Sequence, residues 1–176
     1  MYTGKIAHNE YTVPIKGLSI GKHNYSFSVD SAFFKDFGES PISEASLELE
    51  AELIKEAALI KVTCDISGTV VVECDRCLED LTLPVKTTAG LIVKFVRTEE
   101  EEEDDEVMIM EPTDTDLDLR QFFYDYVCLS LPLQRVHPKG GCNEQMIEKL
   151  KSLKAEDKKV KKEANSPFEK LKNLLN

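Results

Sequence analysis

The sequence has no uninterrupted apolar run of about 20 residues, the length that a membrane-spanning helix requires. Its first residues, MYTGKIAHNEY, lack the basic-then-apolar order of a secretion signal, so a cytoplasmic location is expected. It also contains no glycine-rich phosphate loop, no Gly-x-Ser-x-Gly and no His-Glu-x-x-His. We therefore expect a non-enzymatic protein that has no small-molecule substrate and no membrane partner.

Cysteine is scarce and its number is odd. In a chain without a secretion signal, this count disfavours a disulfide framework and favours reduced thiols or metal ligands. Cys64 and Cys128 lie on predicted apolar faces and are expected to act as small core residues. The five cysteines are Cys64, Cys74, Cys77, Cys128 and Cys142.

Basic residues are outnumbered by acidic residues, 22 to 33, so the formal net charge is -11 at pH 7. This value argues against a protein that coats nucleic acid by bulk electrostatics. The charge is unevenly distributed, because residues 139–176 contain ten lysines and six acidic residues. The sequence thus combines an acidic body with a mildly basic C-terminal segment.

Alternating apolar and polar residues predict a β-sheet. Tyr25, Phe27 and Val29 alternate with polar residues, and the same period returns from Ala45. Residues 82–96 could add one or two further strands. Because the connections are short, we expect an α+β fold built on an antiparallel sheet or a partly closed barrel.

Two local features of this region are predicted from single residues. Ser31–Phe37 is expected to be a short helix capped by Ser31. Leu59–Ile66 and Thr69–Cys74 are expected to be two strands joined by a tight turn at Gly68, where glycine permits the required backbone conformation.

The centre of the chain contains an acidic run and then an amphipathic pattern. Eight consecutive acidic residues predict a solvated, mobile loop near 98–107. Residues 116–131 have helical periodicity with one wide apolar stripe, and Asp116 or Asp118 could cap this helix. With the helix packed on the sheet, residues 1–138 are expected to form one β-rich core domain.

Residues 139–176 are expected to form a Lys/Glu-rich helical tail. Within it, Ser-Pro-Phe-Glu is a capping box that opens a terminal helix over 166–175. A helix this short is marginal alone, so it should dock on the domain or on a partner. The residues predicted to contact a partner are Lys158, Lys159, Lys161, Lys162, Phe168 and Leu171.

Cys74 and Cys77 form a Cys-x-x-Cys pair, which permits three interpretations. It can be half of a metal site, a redox couple, or two structural cysteines in a tight turn. A redox couple usually occupies a helix N-terminus in a βαβ layout, whereas the residues here alternate like strands. Arg76 could lower a thiol pKa, but no other feature supports catalysis.

The zinc interpretation needs two further ligands, and VHPKGGC supplies them. His137 and Cys142 are separated by four residues that include a proline and two glycines, so the chain could fold back on itself. Together with Cys74 and Cys77 they would form a Cys3His set, a usual structural zinc arrangement. Arg76 is placed to offset the negative charge of three thiolates.

Three segments of the sequence are informative in combination: GTVVVECDRCLEDL, LDLRQFFYDYVCLSLPLQRVHPKGGC and the closing SPFEKLKNLL. Together they resemble the YceD family of large-ribosomal-RNA accumulation proteins. The resemblance covers the chain from about Ala45 to the C-terminus. The family's Cys-x-Arg-Cys corresponds to Cys74, Arg76 and Cys77, and its downstream His and Cys look like His137 and Cys142.

The resemblance implies a cytosolic factor, without known enzymatic activity, that supports the synthesis, processing or stability of large-subunit ribosomal RNA. The expected partner is that RNA, a pre-ribosomal particle or a large-subunit ribosomal protein. The acidic body leaves a second binding mode open, in which the protein is a chaperone for a basic ribosomal protein. A thiol oxidoreductase that uses Cys74 and Cys77 is a third possibility.

Overall fold

A computed structural model describes residues 10–95 and 107–163, with side chains described as far as residue 153. Within these ranges, no helix is long and apolar enough to cross a membrane. The elements are β1 (Thr12–Pro14), β2 (Gly21–Asp30), α1 (Ser31–Lys35), β3 (Ile42–Lys55), β4 (Leu59–Glu73), β5 (Asp80–Phe95), β6 (Val107–Met110), β7 (Asp116–Asp118), α2 (Arg120–Leu129) and α3 (Glu144–Glu163).

The chain divides into two compact units. The first contains Met1–Glu73 and Thr82–Leu133, and the second contains Cys74–Leu81 and Gln134–Asn176. The predicted division into residues 1–138 and 139–176 stays a prediction. The predicted acidic loop falls outside the described residues except for residue 107, which begins β6, and the predicted helix over 166–175 falls outside them entirely.

The first unit contains a five-stranded sheet in the order β2-β3-β4-β5-β6. β2 and β4 both pair with β3 in antiparallel register, with Phe27 opposite Leu49 and Leu49 opposite Ile66. The exception is β6, which is parallel to β5 and places Val107 opposite Ile92. The prediction of a mostly antiparallel sheet is confirmed, whereas the alternative of a partly closed barrel is wrong because the sheet is open.

The strand pattern explains which face of the sheet is buried. In β3, Leu47, Leu49 and Leu53 are buried while Glu48 and Glu50 are exposed, as a period of two residues requires. Helix α2 covers the apolar side in part, since the rings of Phe27 and Phe123 have centroids 5.2 Å apart. The fully buried rings of the first unit are Phe34 and Phe123.

The predicted turn at Gly68 is wrong, because β4 continues through it as one strand of 15 residues. Gly68 has φ of 144°, and a Cβ built there would lie 2.2 Å from the carbonyl oxygen of Ser46 in the neighbouring strand. The glycine therefore permits a close approach of two backbones. A single glycine in a strand pattern does not distinguish this role from a turn.

The predicted cap of α1 is also wrong by one residue. The carboxylate of Asp30 accepts hydrogen bonds from the backbone N–H groups of Ala32 and Phe33, at 2.9 and 3.3 Å. The hydroxyl of Ser31 instead accepts one from the N–H of Ala45. Because aspartate and serine are both good caps, their adjacency in the sequence left the choice open.

Helix α2 is shorter than the predicted 116–131. Residues Asp116–Asp118 form β7, which pairs antiparallel with β1 and places Leu117 opposite Val13. The carboxylate of Asp118 then accepts a hydrogen bond from the N–H of Arg120 at the start of the helix. A three-residue strand carries too little periodicity to be recognised beside a strong helical pattern.

Candidate metal centre

Four side chains of the second unit meet at one point. The Sγ atoms of Cys74, Cys77 and Cys142 and a ring nitrogen of His137 all lie within 4.8 Å of one another. The Sγ atoms of Cys74 and Cys142 are 3.9 Å apart, and the Nδ1 atom of His137 lies 3.4 Å from the Sγ of Cys77 and 4.0 Å from that of Cys142. The structure thus brings together all four residues that the sequence analysis selected.

The first half of the cluster is a tight turn that contains Cys74 and Cys77. The carbonyl of Cys74 accepts a hydrogen bond from the N–H of Leu78, and the N–H of Cys74 donates to the carbonyl of Glu79, both at 2.9 Å. Leu78 adopts a left-handed conformation with φ of 60°. This reversal turns both sulfur atoms toward the same side of the chain.

The second half is the loop from His137 to Cys142. It is closed by a hydrogen bond of 2.9 Å, in which the N–H of Gly141 donates to the carbonyl of Pro138. Gly140 has φ of 88°, and a Cβ on Gly141 would lie 3.2 Å from the Cβ of His137. The two glycines therefore let the loop fold tightly enough for the imidazole and the thiol to approach each other.

The residue after this loop begins helix α3. The Oδ1 atom of Asn143 accepts hydrogen bonds from the N–H groups of Gln145 and Met146, at 2.9 and 3.4 Å. Its amide nitrogen donates to the carboxylate of Glu79 at 2.7 Å. Asn143 thus caps the helix and at the same time connects it to the residues that follow the cysteine turn.

Asp75 and Arg135 join the two halves of the cluster. The N–H of Asp75 donates to the carbonyl of Arg135, and the N–H of Arg135 donates to the carboxylate of Asp75, both at 2.7 Å. The guanidinium of Arg135 also donates to that carboxylate at 3.2 Å. Three bonds between the same two residues fix the cysteine turn beside the histidine loop.

A further hydrogen bond sets the tautomer of His137. Its Nε2 atom lies 3.1 Å from the carbonyl oxygen of Asp80, which can only accept, so Nε2–H is the donor. In the neutral ring this leaves the lone pair on Nδ1, the nitrogen that faces the sulfur atoms of Cys77 and Cys142. A backbone carbonyl in this position is the usual support for a metal-binding histidine.

The cluster stabilises one thiolate strongly and resists a second one. Although burial acts to raise it, hydrogen bonds from the backbone N–H groups of Arg76, Cys77 and His137 lower the pKa of Cys74 to about 6. Hydrogen bonding to Cys74 raises the pKa of His137. Burial, with the neighbouring sulfur atoms of Cys74 and Cys77, raises the pKa of Cys142. Three thiolates at this point would therefore require a compensating cation.

The donor set is compatible with a tetrahedral zinc ion. Zn–S bonds of about 2.3 Å and Zn–N bonds of about 2.0 Å place two sulfurs about 3.8 Å apart and a sulfur and nitrogen about 3.5 Å apart. The separations of 3.9 Å between Cys74 and Cys142 and 3.4 Å between Cys77 and His137 are close to these values, whereas the 4.0 Å between Cys142 and His137 is about 0.5 Å longer than the tetrahedral S–N separation. A disulfide would need about 2.05 Å, and all five cysteines are free.

The other predicted site residues are Arg76 and the C-terminal residues expected to contact a partner. The side chain of Arg76 is exposed and lines a groove beside Cys142. The segment that contains Lys158, Lys159, Lys161 and Lys162 is helical as part of α3. Phe168 and Leu171 fall outside the described residues, so their predicted contacts with a partner stay predictions.

Sequence reasoning missed the residues that support the cluster. Asp75, Asp80 and Arg135 act through backbone groups or through each other, and no spacing rule relates residues that lie about 60 positions apart. Asn143 had a recognisable signal, because it stands directly before a helical pattern. Leu78 had none, since left-handed conformations favour glycine.

The other two cysteines lie away from the cluster. Cys64 is fully buried in β4, and this burial raises the pKa of its thiol to about 12. Cys128 is half-buried at the end of α2, and burial raises its pKa as well. Neither thiol is therefore expected to be a nucleophile near neutral pH.

Taken together, the open α/β sheet and the Cys3His cluster define a small mixed α/β protein with a candidate metal centre. The family model described as "Large ribosomal RNA subunit accumulation protein YceD" matches residues 62–175. The chain therefore belongs to the YceD family, and the resemblance recognised in the sequence is confirmed. Comparisons with curated proteins and with solved structures found no match.

Proposed function

We propose that the protein is a non-enzymatic ribosome biogenesis factor that supports the synthesis, processing or stability of large-subunit ribosomal RNA. In this proposal Cys74, Cys77, His137 and Cys142 hold a structural zinc ion. The observation that carries the proposal is that all four residues lie inside the segment that matches the family, residues 62–175. The partner is the large-subunit ribosomal RNA or a pre-ribosomal particle.

Bound zinc would supply positive charge for three thiolates and a closed set of four bonds. Other residues would prepare the four ligands for the zinc ion. The N–H groups of Arg76 and Cys77 stabilise the Cys74 thiolate, and the carbonyl of Asp80 holds the His137 ring with Nδ1 toward the sulfurs. Because a structural site has four protein ligands and no open position, we propose no catalytic step at the cluster.

Metal analysis of protein purified under reducing conditions tests the zinc assignment. The wild-type chain should contain about one zinc per molecule, and Cys77→Ser should contain much less. Cys64→Ser is the matched control, because it removes one cysteine outside the cluster and should leave the zinc content unchanged. Equal and negligible zinc in the wild type and Cys77→Ser would remove the assignment.

Depletion of the protein in the organism that encodes it tests the ribosomal role. The ratio of large-subunit to small-subunit ribosomal RNA should fall on depletion and recover on expression of the wild-type chain. Cys77→Ser should restore the ratio less well than Cys64→Ser. An unchanged RNA ratio in depleted cells would reject the ribosomal proposal, whatever the cluster binds.

A second candidate function is that of a chaperone for a basic large-subunit ribosomal protein. The polar face of the sheet favours it, since Glu50 and Asp65 lie directly opposite each other and Glu48 is exposed beside them. Like charges in opposite positions cost stability unless a cation or a basic partner compensates them. Pull-down from cell extract with and without nuclease separates the two functions: recovery of one ribosomal protein regardless of nuclease supports the chaperone.

A thiol oxidoreductase is the third candidate, and the pKa of about 6 at Cys74 is the observation that favours it. Against it, the side chains of Cys74 and Cys77 are 0% and 3% exposed. Native alkylation separates a redox pair from a metal-bound one. A redox pair should react within minutes at neutral pH, whereas a metal-bound pair should react only after a chelator is added. Cys64, with its pKa of about 12, should stay unmodified in both cases.

A further inference from the structure

The second unit contains a groove of about 450 Å³ beside the cluster. Three basic side chains line it, and they come from three separate segments. Arg76 belongs to the cysteine turn, Lys139 to the histidine loop and Lys151 to helix α3. The folding of these segments around the cluster therefore collects cations that are up to 75 positions apart in the sequence.

These three cations lie in the same groove as Glu144 and Glu148 but are paired with neither of them. Within the part of the chain that the structure describes, Arg76, Lys139 and Lys151 form no ion pair. By contrast, Arg135 of the same unit is paired with Asp75, and Lys22 and Lys61 of the first unit are paired with Glu52 and Glu56. All three groove cations are exposed and thus available to an external anion.

The groove also contains Glu144, Glu148 and Ile147, all from the first turns of α3. Two carboxylates beside three cations suit neither duplex nucleic acid, which presents a continuous phosphate surface, nor a uniformly acidic peptide. Single-stranded RNA offers phosphates and also unpaired bases, whose amino groups donate hydrogen bonds to carboxylates. An aliphatic side chain in the same groove can contact a base face.

We propose that this groove binds a single-stranded RNA segment. Arg76, Lys139 and Lys151 contact its phosphates, and Glu144 and Glu148 accept hydrogen bonds from the amino groups of its bases. The inference rests on the proposed function, since it names the surface and the form of RNA that such a factor would engage. The inference goes beyond the proposed function because it places the RNA contact in the groove beside the cluster, and not at the C-terminal residues Phe168 and Leu171.

The test measures binding of the full-length chain, purified under reducing conditions, to a fluorescent single-stranded RNA of 12 nucleotides, with the matching duplex RNA as competitor. The wild type should prefer the single strand by at least about tenfold. Arg76→Gln/Lys139→Gln/Lys151→Gln should lose at least about tenfold in affinity. It should also lower the slope of log affinity against log salt by about 2, because each phosphate contact in single strands contributes about 0.7.

A matched control removes three positive charges from the first unit. Lys22→Gln/Lys61→Gln/Lys86→Gln has the same net charge as the groove variant and should bind RNA within about twofold of the wild type. A far-UV circular dichroism spectrum equal to that of the wild type shows that the groove variant is folded. Glu144→Gln/Glu148→Gln should raise the affinity for duplex RNA and so reduce the preference for the single strand.

Three results would overturn the inference. They are equal RNA binding by the groove variant and the wild type, tighter binding of duplex RNA by the wild type, and binding of an acidic peptide in place of RNA. If depletion still lowers large-subunit ribosomal RNA while any of these holds, the proposed function survives and only the groove assignment fails. If depletion leaves that RNA unchanged but the groove binds single strands, the failure lies in the proposed function.

Discussion

The two units of this chain are organised by different physical principles. Of the 28 buried apolar residues in the described ranges, 25 belong to the first unit and three to the second. Two of those three, Cys74 and Cys77, are members of the cluster, and the third is Leu81. Burial of apolar surface can therefore stabilise the sheet of the first unit, but it contributes little among the described side chains of the second.

This difference indicates what the cluster does for the second unit. Within its described side chains, which end at residue 153, the second unit buries few apolar residues to offset the conformational entropy lost on folding, and small domains with little core use disulfides or metals instead. With all five cysteines free, a metal held by the cluster would be a further source of stability beside the hydrogen bonds of this unit. We expect the first unit to respond to core substitutions and the second to metal.

The largest expected effect comes from removing the proposed metal. Structural zinc contributes about 10–16 kcal/mol in small zinc-binding peptides at pH 7, so chelation or Cys77→Ser should unfold the second unit locally. Hydrogen exchange should then show lost protection at the amides of Asp75, Leu78 and Gly141, which are hydrogen-bonded in the folded unit. Amides of β3 and β4 should keep their protection, and a uniform loss in both units would contradict the comparison.

A core substitution should produce the opposite pattern. Phe123 is fully buried, and Phe123→Ala should lower the free energy of unfolding of the first unit by about 3–5 kcal/mol because it leaves a cavity. Chemical denaturation followed by circular dichroism measures this loss, and zinc content measured without denaturant should stay at the wild-type value. A loss below about 1 kcal/mol would show that this ring is not central to the core.

Gly68 offers a smaller test of the same sheet. Gly68→Ala would place a Cβ 2.2 Å from a neighbouring carbonyl oxygen in a conformation unfavourable for alanine, so we expect a loss of about 1–3 kcal/mol. Gly90→Ala in β5 is the control, since no atom lies within 4 Å of its Cβ position and its φ is not positive. Equal stabilities of the two variants would indicate a different path for β4.

The smallest effect is expected at Leu78. This residue is 62% exposed and holds a left-handed conformation that costs an ordinary residue about 1–2 kcal/mol. Leu78→Gly should relieve that cost at the cysteine turn and raise zinc affinity by a few fold in a competition with a chelator. Leu78→Ala keeps the strain and should not change the affinity, and a gain in both variants would assign the effect to the lost side chain.

The sequence predicted those features that repeat or that recur at fixed spacing. Alternation in β3 and the helical stripe around Phe122 and Phe123 are periodic signals, and the four cluster residues are rare types within short intervals. The sequence-based predictions were wrong where one residue type can have two structural roles. A glycine such as Gly68 can form a turn or permit the close approach of two strands, and a serine such as Ser31 can cap a helix or accept a hydrogen bond from a neighbouring strand. The sequence also did not indicate that β6 would be parallel to β5, because strand order depends on contacts distant in the sequence.

The cluster joins residues that the ribosome synthesises far apart in time. Cys77 and His137 are separated by 60 positions, and Cys142 is the last of the four. A nascent chain that ends before Cys142 holds three of the ligands, so a closed tetrahedral site can form only on a polypeptide extended beyond that cysteine. Tight metal retention would consequently mark those copies of the protein whose translation has passed this position.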